Sequence, residues 1–458
     1  MPNDTNAPDA MHFRSLHLEN VRAFASSQSL QLVDEDGAVS RWNLILGENG
    51  VGKTTLMQAL AVMRPIPAFE KESSDETYAD AGIPTMSRAE LSAHENDEIM
   101  RFIRRGETGI TRMTADLKTE EGGSFKISAE IRGSVKELDL VKFEKAPHEL
   151  RSEGPLLIRY GAGRYLGNRN LGGVTNRDTA GPAFSEAVEL YDAEEIMEKL
   201  DHAAKTHDDE NDAEVRRFYK LKAVVASILP GLAAEDIEVR GPRIEGRDPD
   251  LSGVHVRTPS GVVPLAELSL GYRTMFALTV DLSWRLFNAF PNSPEPLHES
   301  AIVLLDEVDL HLHPRWQREL RRHLLDHFPK VQFIATTHSP VAAQEALSEG
   351  GNVVVVCWEH DEAHILNRPI PSGEWRYDQL LASELFGFGS DRSQQAEAKL
   401  YERLTLIRNT NRSAEQDTRL RELDEFVASL PTARSPSAQS FEELMMGLAK
   451  DFPSGVTR

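Results

Sequence analysis

The chain has 458 residues, 40% of them hydrophobic, a formal net charge of −22 and one cysteine. That size suits one large head with inserted lobes or two to three domains, and the acidity argues against a surface that binds nucleic acid throughout. The lone Cys357 rules out a disulfide framework, no run approaches about 18 apolar residues, and MPNDTNAPDA lacks a basic start and an apolar core, so a reducing, cytoplasmic setting away from membranes is expected.

Residues 1–10 read as a disordered tail. FRSLHLENVRAF (13–24) alternates apolar and polar positions and predicts a strand, and SLQLV (29–33) predicts another. WNLIL (42–46) is an apolar run that breaks into GENGVGKT (47–54), after which TTLMQALAVM continues as a helix. The eight residues fit G-x-x-x-x-G-K-[ST] between a strand and a helix, the context the motif requires. Its glycines let backbone N–H groups converge on phosphate oxygens at a helix N-terminus. Lys53 can reach the terminal phosphates, and the Thr54 hydroxyl can hold Mg²⁺. The candidate nucleotide-binding residues here are Asn49, Gly50, Val51, Gly52, Lys53, Thr54 and Thr55.

Residues 65–96 are polar and without period. Arg101, Arg104 and Arg105 form a local basic patch, a candidate DNA contact to be weighed against a solvated charged turn. Residues 110–133 predict a hairpin around Gly122 and Gly123. PLLIRYGAGRYL (155–166) predicts a strand entering a loop. Helices are expected over 186–207 and 214–229, joined by the acidic link HDDENDAE.

GVHVRTPSGVVPL (253–265) predicts a hairpin, and LSLGYR (268–273) precedes a long helix that starts near Tyr272. IVLLDE (302–307) places Asp306 at the end of a buried strand, where it can hold Mg²⁺, and Glu307 beside it as a general base. TTHSP (336–340) ends a further apolar strand. His338 there can reach a γ-phosphate or the attacking water. NVVVVCWE (352–359) is one more strand, and three charged helical stretches follow Gly373. Alternating strands and helices call for a largely parallel sheet. His311 and His313 in HLHP lack further ligands at a zinc spacing.

The order phosphate loop, long insert, L-S-x-G, Asp-Glu strand and strand-end histidine resembles the ATP-binding cassette superfamily. FRSLHLENVRAF running into ILGENGVGKTT is similar to its RecF/SMC-like branch. YGAGRYL, ELSLGYRTM, LLDEVDLHLHPRWQ and FIATTHSPV resemble stand-alone bacterial AAA-type ATPases, among them the ATPase subunit of Septu-like anti-phage systems. The resemblance covers about residues 12–400. It implies that Ser269 and Gly271 bind the γ-phosphate held by a second copy, that Asp309 contacts that copy, and that a homo-oligomer, at least a dimer, works beside a nuclease or other effector. The family's lobe-linking glutamine is missing, since no glutamine occurs between Gln58 and Gln317. Tyr160 and Arg164 are the candidates for its place.

The expected fold is α/β: an ABC-type P-loop ATPase head with a mostly parallel core sheet, an antiparallel β lobe, an inserted helical lobe and a C-terminal helical region. The expected division is a tail (1–10), a head (11–370, with its nucleotide-binding core in 11–64 and 252–370 and the lobes in 65–251) and a helical region (371–458). The expected function is ATP hydrolysis with Mg²⁺ that powers or regulates a DNA-targeting effector in defence. The alternatives are a slow nucleotide-gated scaffold that restrains a nuclease or toxin, and a RecF-like DNA repair ATPase. A transporter subunit fits the start of the chain less well.

Overall fold

The computed structural model describes residues 8–65, 100–104, 109–134, 137–143, 154–162, 165–169, 189–206, 212–228, 232–241, 252–258, 261–310, 312–368, 394–408 and 413–429. Arg105, Arg164, His311 and the first of the helical stretches expected after Gly373 lie outside them. The chain divides into two compact units, Met1–Trp375 and Arg376–Arg458.

The first unit begins with β1 (Met11–Glu19), β2 (Gln28–Gln31), β3 (Trp42–Gly47) and α1 (Lys53–Val62). Next come β4 (Thr111–Thr119), β5 (Ser124–Ser134), β6 (Glu137–Phe143), β7 (Leu157–Tyr160), β8 (Tyr165–Arg169) and β9 (Glu189–Tyr191). Two helices follow, α2 (Ala193–Thr206) and α3 (Ala213–Ala226), then β10 (Ile237–Val239), β11 (Val254–Thr258) and β12 (Gly261–Pro264). The unit closes with α4 (Leu270–Ala289), β13 (Ala301–Leu305), α5 (Pro314–His327), β14 (Val331–Thr337), α6 (Pro340–Ser348), β15 (Asn352–Glu359) and β16 (Glu362–Asn367).

The central sheet has the order β16-β15-β3-β14-β13-β7. Its strands are parallel except for β16, which returns antiparallel on β15. β13 and β14 are buried at every position, which is why neither alternates: β13 is an unbroken apolar run, and β14 is apolar but for Gln332, Thr336 and Thr337. Pairing of Leu305 with Ala335 and of Thr337 with Leu46 brings the carboxyl ends of β13, β14 and β3 out side by side. Open parallel sheets bind ligands at that end.

A five-stranded antiparallel sheet, β2-β1-β4-β5-β6, shares a core with α1 and one face of the central sheet. Buried Gln332 of β14 joins the two: Phe13 N–H donates to its Oε1 (2.8 Å), and its Nε2 donates to Phe13 O (2.7 Å). A fully paired buried amide fixes register at little net cost. The helical lobe packs on α4. Arg217 donates to Pro291 O (2.6 Å), and the Lys199 ammonium lies 4.9 Å from the Trp284 ring centre.

Two readings change. The strand expected over 13–24 stops at Glu19, because Asn20 and Arg22 take positive φ (55° and 45°) and Val21 and Phe24 close a tight turn. The helix expected over 186–207 starts only at Ala193, since Glu189–Tyr191 pairs with β8. In the second unit α7 (Gln394–Arg408) and α8 (Ala414–Ser429) are tied by Arg403–Asp424 (2.6 Å) and Arg419–Glu402 (2.9 Å).

Candidate functional site

The chain leaves buried β3 at Gly47, where only a glycine fits. A Cβ there would collide with the Val356 carbonyl and lie 2.9 Å from Val51 Cγ2. Gly52 sits at φ 106°, and its Cβ would approach the Phe24 ring to 3.0 Å. The 47–52 loop is therefore pressed between β15 and the turn after β1. It opens straight into α1, whose first turn has no acidic residue. The positive end of that helix is left for an anion.

Lys53 is the first residue of α1 and only 6% exposed. Its Nζ donates to Gly47 O (2.8 Å), Glu48 O (2.8 Å) and His338 Nε2 (3.0 Å). An ammonium has three donors and no acceptor, so this contact fits a neutral imidazole with Nε2 unprotonated. Burial and then the Lys53 charge hold His338 below the ordinary histidine range, against the pull of Asp309, Glu307 and Asp306. Burial also lowers the Lys53 pKa, and the same three carboxylates oppose it.

Asp306 follows β13. Its N–H donates to Tyr160 O (2.9 Å), its Oδ2 accepts from Thr54 Oγ1 (3.1 Å), and its Oδ1 accepts from Thr336 Oγ1 (2.5 Å). Glu307 holds a left-handed φ of 48°, with its N–H on Thr336 Oγ1 (2.8 Å). Such a conformation costs an L-residue about 1–2 kcal/mol and collects at functional sites. Asp309 Oδ1 accepts from Thr337 Oγ1 (2.5 Å). The structure thus gathers Lys53, Thr54, Asp306, Glu307, Asp309 and His338, which lie up to 285 positions apart in the chain. It also adds Thr336 and Thr337, which sequence reasoning passed over. Both are fully buried hydroxyls at a strand end flanked by acids, and the only signal was the pair Thr-Thr where apolar residues would suffice.

Ser269 and Gly271 stand apart. Among the described residues no hydrogen bond joins either to the 47–54 loop. Ser269 is the exposed N-cap residue of α4, which begins at Leu270 rather than near Tyr272. Its hydroxyl makes no capping bond to that helix. Leu270 beside it is 42% exposed.

Other readings are settled by contacts. Tyr160 does not face the site: its buried hydroxyl donates to Asp281 Oδ2 (2.7 Å), and burial together with Asp281 raises its pKa well above the usual phenol value. Arg104 reaches the carbonyls of Arg22, Ala23 and Asp361 at 3.4 Å. His313 caps α5, its Nδ1 accepting from Arg315 N–H (3.3 Å). Among the described residues no helix is long and apolar enough to cross a membrane.

An AAA domain model matches residues 15–215. A second AAA domain model, described with reference to the AbiEii toxin and type IV TA systems, matches residues 177–343. The chain is 24% identical to Septu protein PtuA of Bacillus mycoides over 84% of this chain and 46% of that one. It is 23% identical to Septu protein PtuA of Bacillus thuringiensis over 77% and 80%. It is 50% identical to the Retron Ec83 probable ATPase of Escherichia coli over 16% and 14%. The chain therefore spans about half the length of the Bacillus mycoides relative and a small part of the retron protein. The SMC head domain from Thermotoga maritima aligns over 78% of this chain and all of that one, at 14% identity and a TM-score of 0.40. The resemblance to AAA-type ATPases of the Septu-like kind is borne out by these relatives.

Proposed function

We propose that the chain binds ATP with Mg²⁺, hydrolyses it, and does so in a site completed by a second copy. The observation that carries this reading is the meeting of three distant motifs through Lys53–His338 (3.0 Å) and Thr54–Asp306 (3.1 Å) at the ends of adjacent parallel strands.

The loop N–H groups of residues 49–55 and Lys53 take the β- and γ-phosphates. Lys53 then exchanges part of its present set of acceptors for phosphate oxygens. The Thr54 hydroxyl and the Asp306 carboxylate fit a hard cation that keeps part of its water shell, and two protein ligands are usual for it. When bound, Mg²⁺ neutralises charge on the phosphate oxygens. Glu307 accepts a proton from the attacking water, whose oxygen bonds to the γ-phosphorus as the bridging P–O bond breaks and ADP leaves with the electron pair. Neutral His338, released by Lys53, presents Nε2 toward the same space. Ser269 and Gly271, with an uncommitted hydroxyl and a helix N-terminus, serve the γ-phosphate of the second copy, and Asp309 faces that copy. A nuclease or other effector partner and a role in defence are the reading best supported by the Septu relatives.

The test is a pair of variants in the full chain. Lys53→Ala should weaken ATP binding by an order of magnitude or more in calorimetry, since a charge-assisted contact contributes ~1.5–3 kcal/mol. Glu307→Gln should bind ATP normally while phosphate release falls by roughly 10²-fold or more. Wild-type turnover in Glu307→Gln would assign the base elsewhere, with His338 the first alternative.

A further inference from the structure

We propose that Thr336 is a positioning residue of the hydrolytic site: one buried hydroxyl that sets both the Asp306 carboxylate and the backbone of Glu307. The proposal rests on the roles given above to those two acids. Thr336 is the penultimate residue of β14 and is fully buried. Its Oγ1 donates to Asp306 Oδ1 (2.5 Å) and accepts from Glu307 N–H (2.8 Å). Its carbonyl accepts from Val308 N–H (2.9 Å). One residue of β14 thereby engages three successive residues of the turn after β13.

The directions of these bonds matter. A hydroxyl has a single proton to give, and Glu307 N–H can only donate. The Thr336 proton is therefore committed to Asp306 Oδ1. That locks the carboxylate against rotation and turns its other oxygen, Oδ2, to Thr54, where a cation would sit. The same oxygen of Thr336 holds the amide of Glu307 in a left-handed conformation that an L-residue would otherwise leave. Valine would fill the same volume, and nothing in a buried parallel strand calls for a hydroxyl. Removing it would leave the Glu307 N–H without the partner it has here and free the Asp306 carboxylate to turn. Thr337, the next residue, binds Asp309 instead, so the two threonines divide the acids between them.

The experiment compares full-length Thr336→Val and Thr336→Ser with the wild-type chain. It reads thermal melting, ATP affinity without metal by calorimetry, Mn²⁺ affinity with a non-hydrolysable ATP analogue by electron paramagnetic resonance, and phosphate release. Thr336→Val should bind metal-free ATP as the wild type does and keep KM for ATP, while Mn²⁺ affinity and kcat each fall by about 10–100-fold, the usual effect of losing an outer-shell partner. Thr336→Ser should restore most of both. Wild-type Mn²⁺ affinity and kcat in Thr336→Val would overturn the proposal, as would failure of serine to rescue. If the valine variant does not fold, Thr336→Ala carries the same expectation and the same contrary result. Asp306→Asn separates the causes. If it lowers Mn²⁺ affinity and the Thr336 variants do not, only the role of Thr336 falls. If it too leaves Mn²⁺ affinity unchanged, the site reading falls with it.

Discussion

Lys53 and His338 share one hydrogen bond, and that bond works only while the imidazole is neutral. The same preference recurs away from the site. Burial, aided by the Arg41 charge, brings His12 down to about 4, and burial, aided by His327, brings His323 down to about 3. In the unfolded chain these rings titrate near 6.5. Their folded pKa values are depressed, so below about pH 6.5 the unfolded chain takes up protons that the folded chain refuses, and stability falls as pH falls toward 4. The urea midpoint should drop between pH 7 and pH 4.5, and His323→Asn should flatten the profile. A midpoint that rises on acidification would contradict the assignment. At this level the sequence was legible where spacing carries chemistry. Lys53, Thr54, Asp306 and Glu307 follow from motif and context, because phosphate and metal binding demand those residue types there. Thr336 and Thr337 did not, because a buried hydroxyl in an apolar strand has no periodic signature and its value appears only when its neighbours are known.

Helix α4 holds two features of opposite visibility. Its start was legible as L-S-x-G, although the helix begins two residues earlier than the apolar run suggests. Its middle carries Asp281, which accepts from Arg285 Nε (2.6 Å), Tyr160 Oη (2.7 Å) and Tyr191 N–H (2.9 Å). This buried cluster ties α4 to β7 and β9. Arg285 is an i,i+4 neighbour of Asp281, but the two tyrosine partners lie 121 and 90 positions away, and no local pattern reveals them. Asp281→Ala would leave Arg285 buried and uncompensated, and should cost about 3–5 kcal/mol in urea denaturation. A loss below about 1 kcal/mol, the range of exposed ion pairs, would show that the cluster is not buried in solution. Ser269, by contrast, contributes no cap and should be replaceable without loss of fold. Ser269→Arg should melt like the wild type and bind ATP through its own Lys53, yet lose hydrolysis. Normal turnover in that variant would remove the α4 N-terminus from the reaction. Among strands, the buried parallel ones were plain from their apolar runs. β16, with Glu362 and His364 interrupting a short alternating segment, was not.

The parallel sheet brings the phosphate loop, the acidic strand end and the histidine to one edge, and the chain order of its motifs was enough to anticipate that. What order cannot convey is the position of Ser269 and Gly271, which no hydrogen bond among the described residues joins to their own phosphate loop. In the proposed assembly they meet the nucleotide of a second copy. The most direct test mixes two full-length variants, Lys53→Ala and Ser269→Arg, each inactive alone. In a mixed dimer one site pairs the intact loop of the second variant with the intact Ser269 and Gly271 of the first, while the opposite site carries both defects. Phosphate release should reappear on mixing, at a fraction of the wild-type rate. Mixed oligomers that demonstrably form and yet release no phosphate would contradict completion of the site by a second copy.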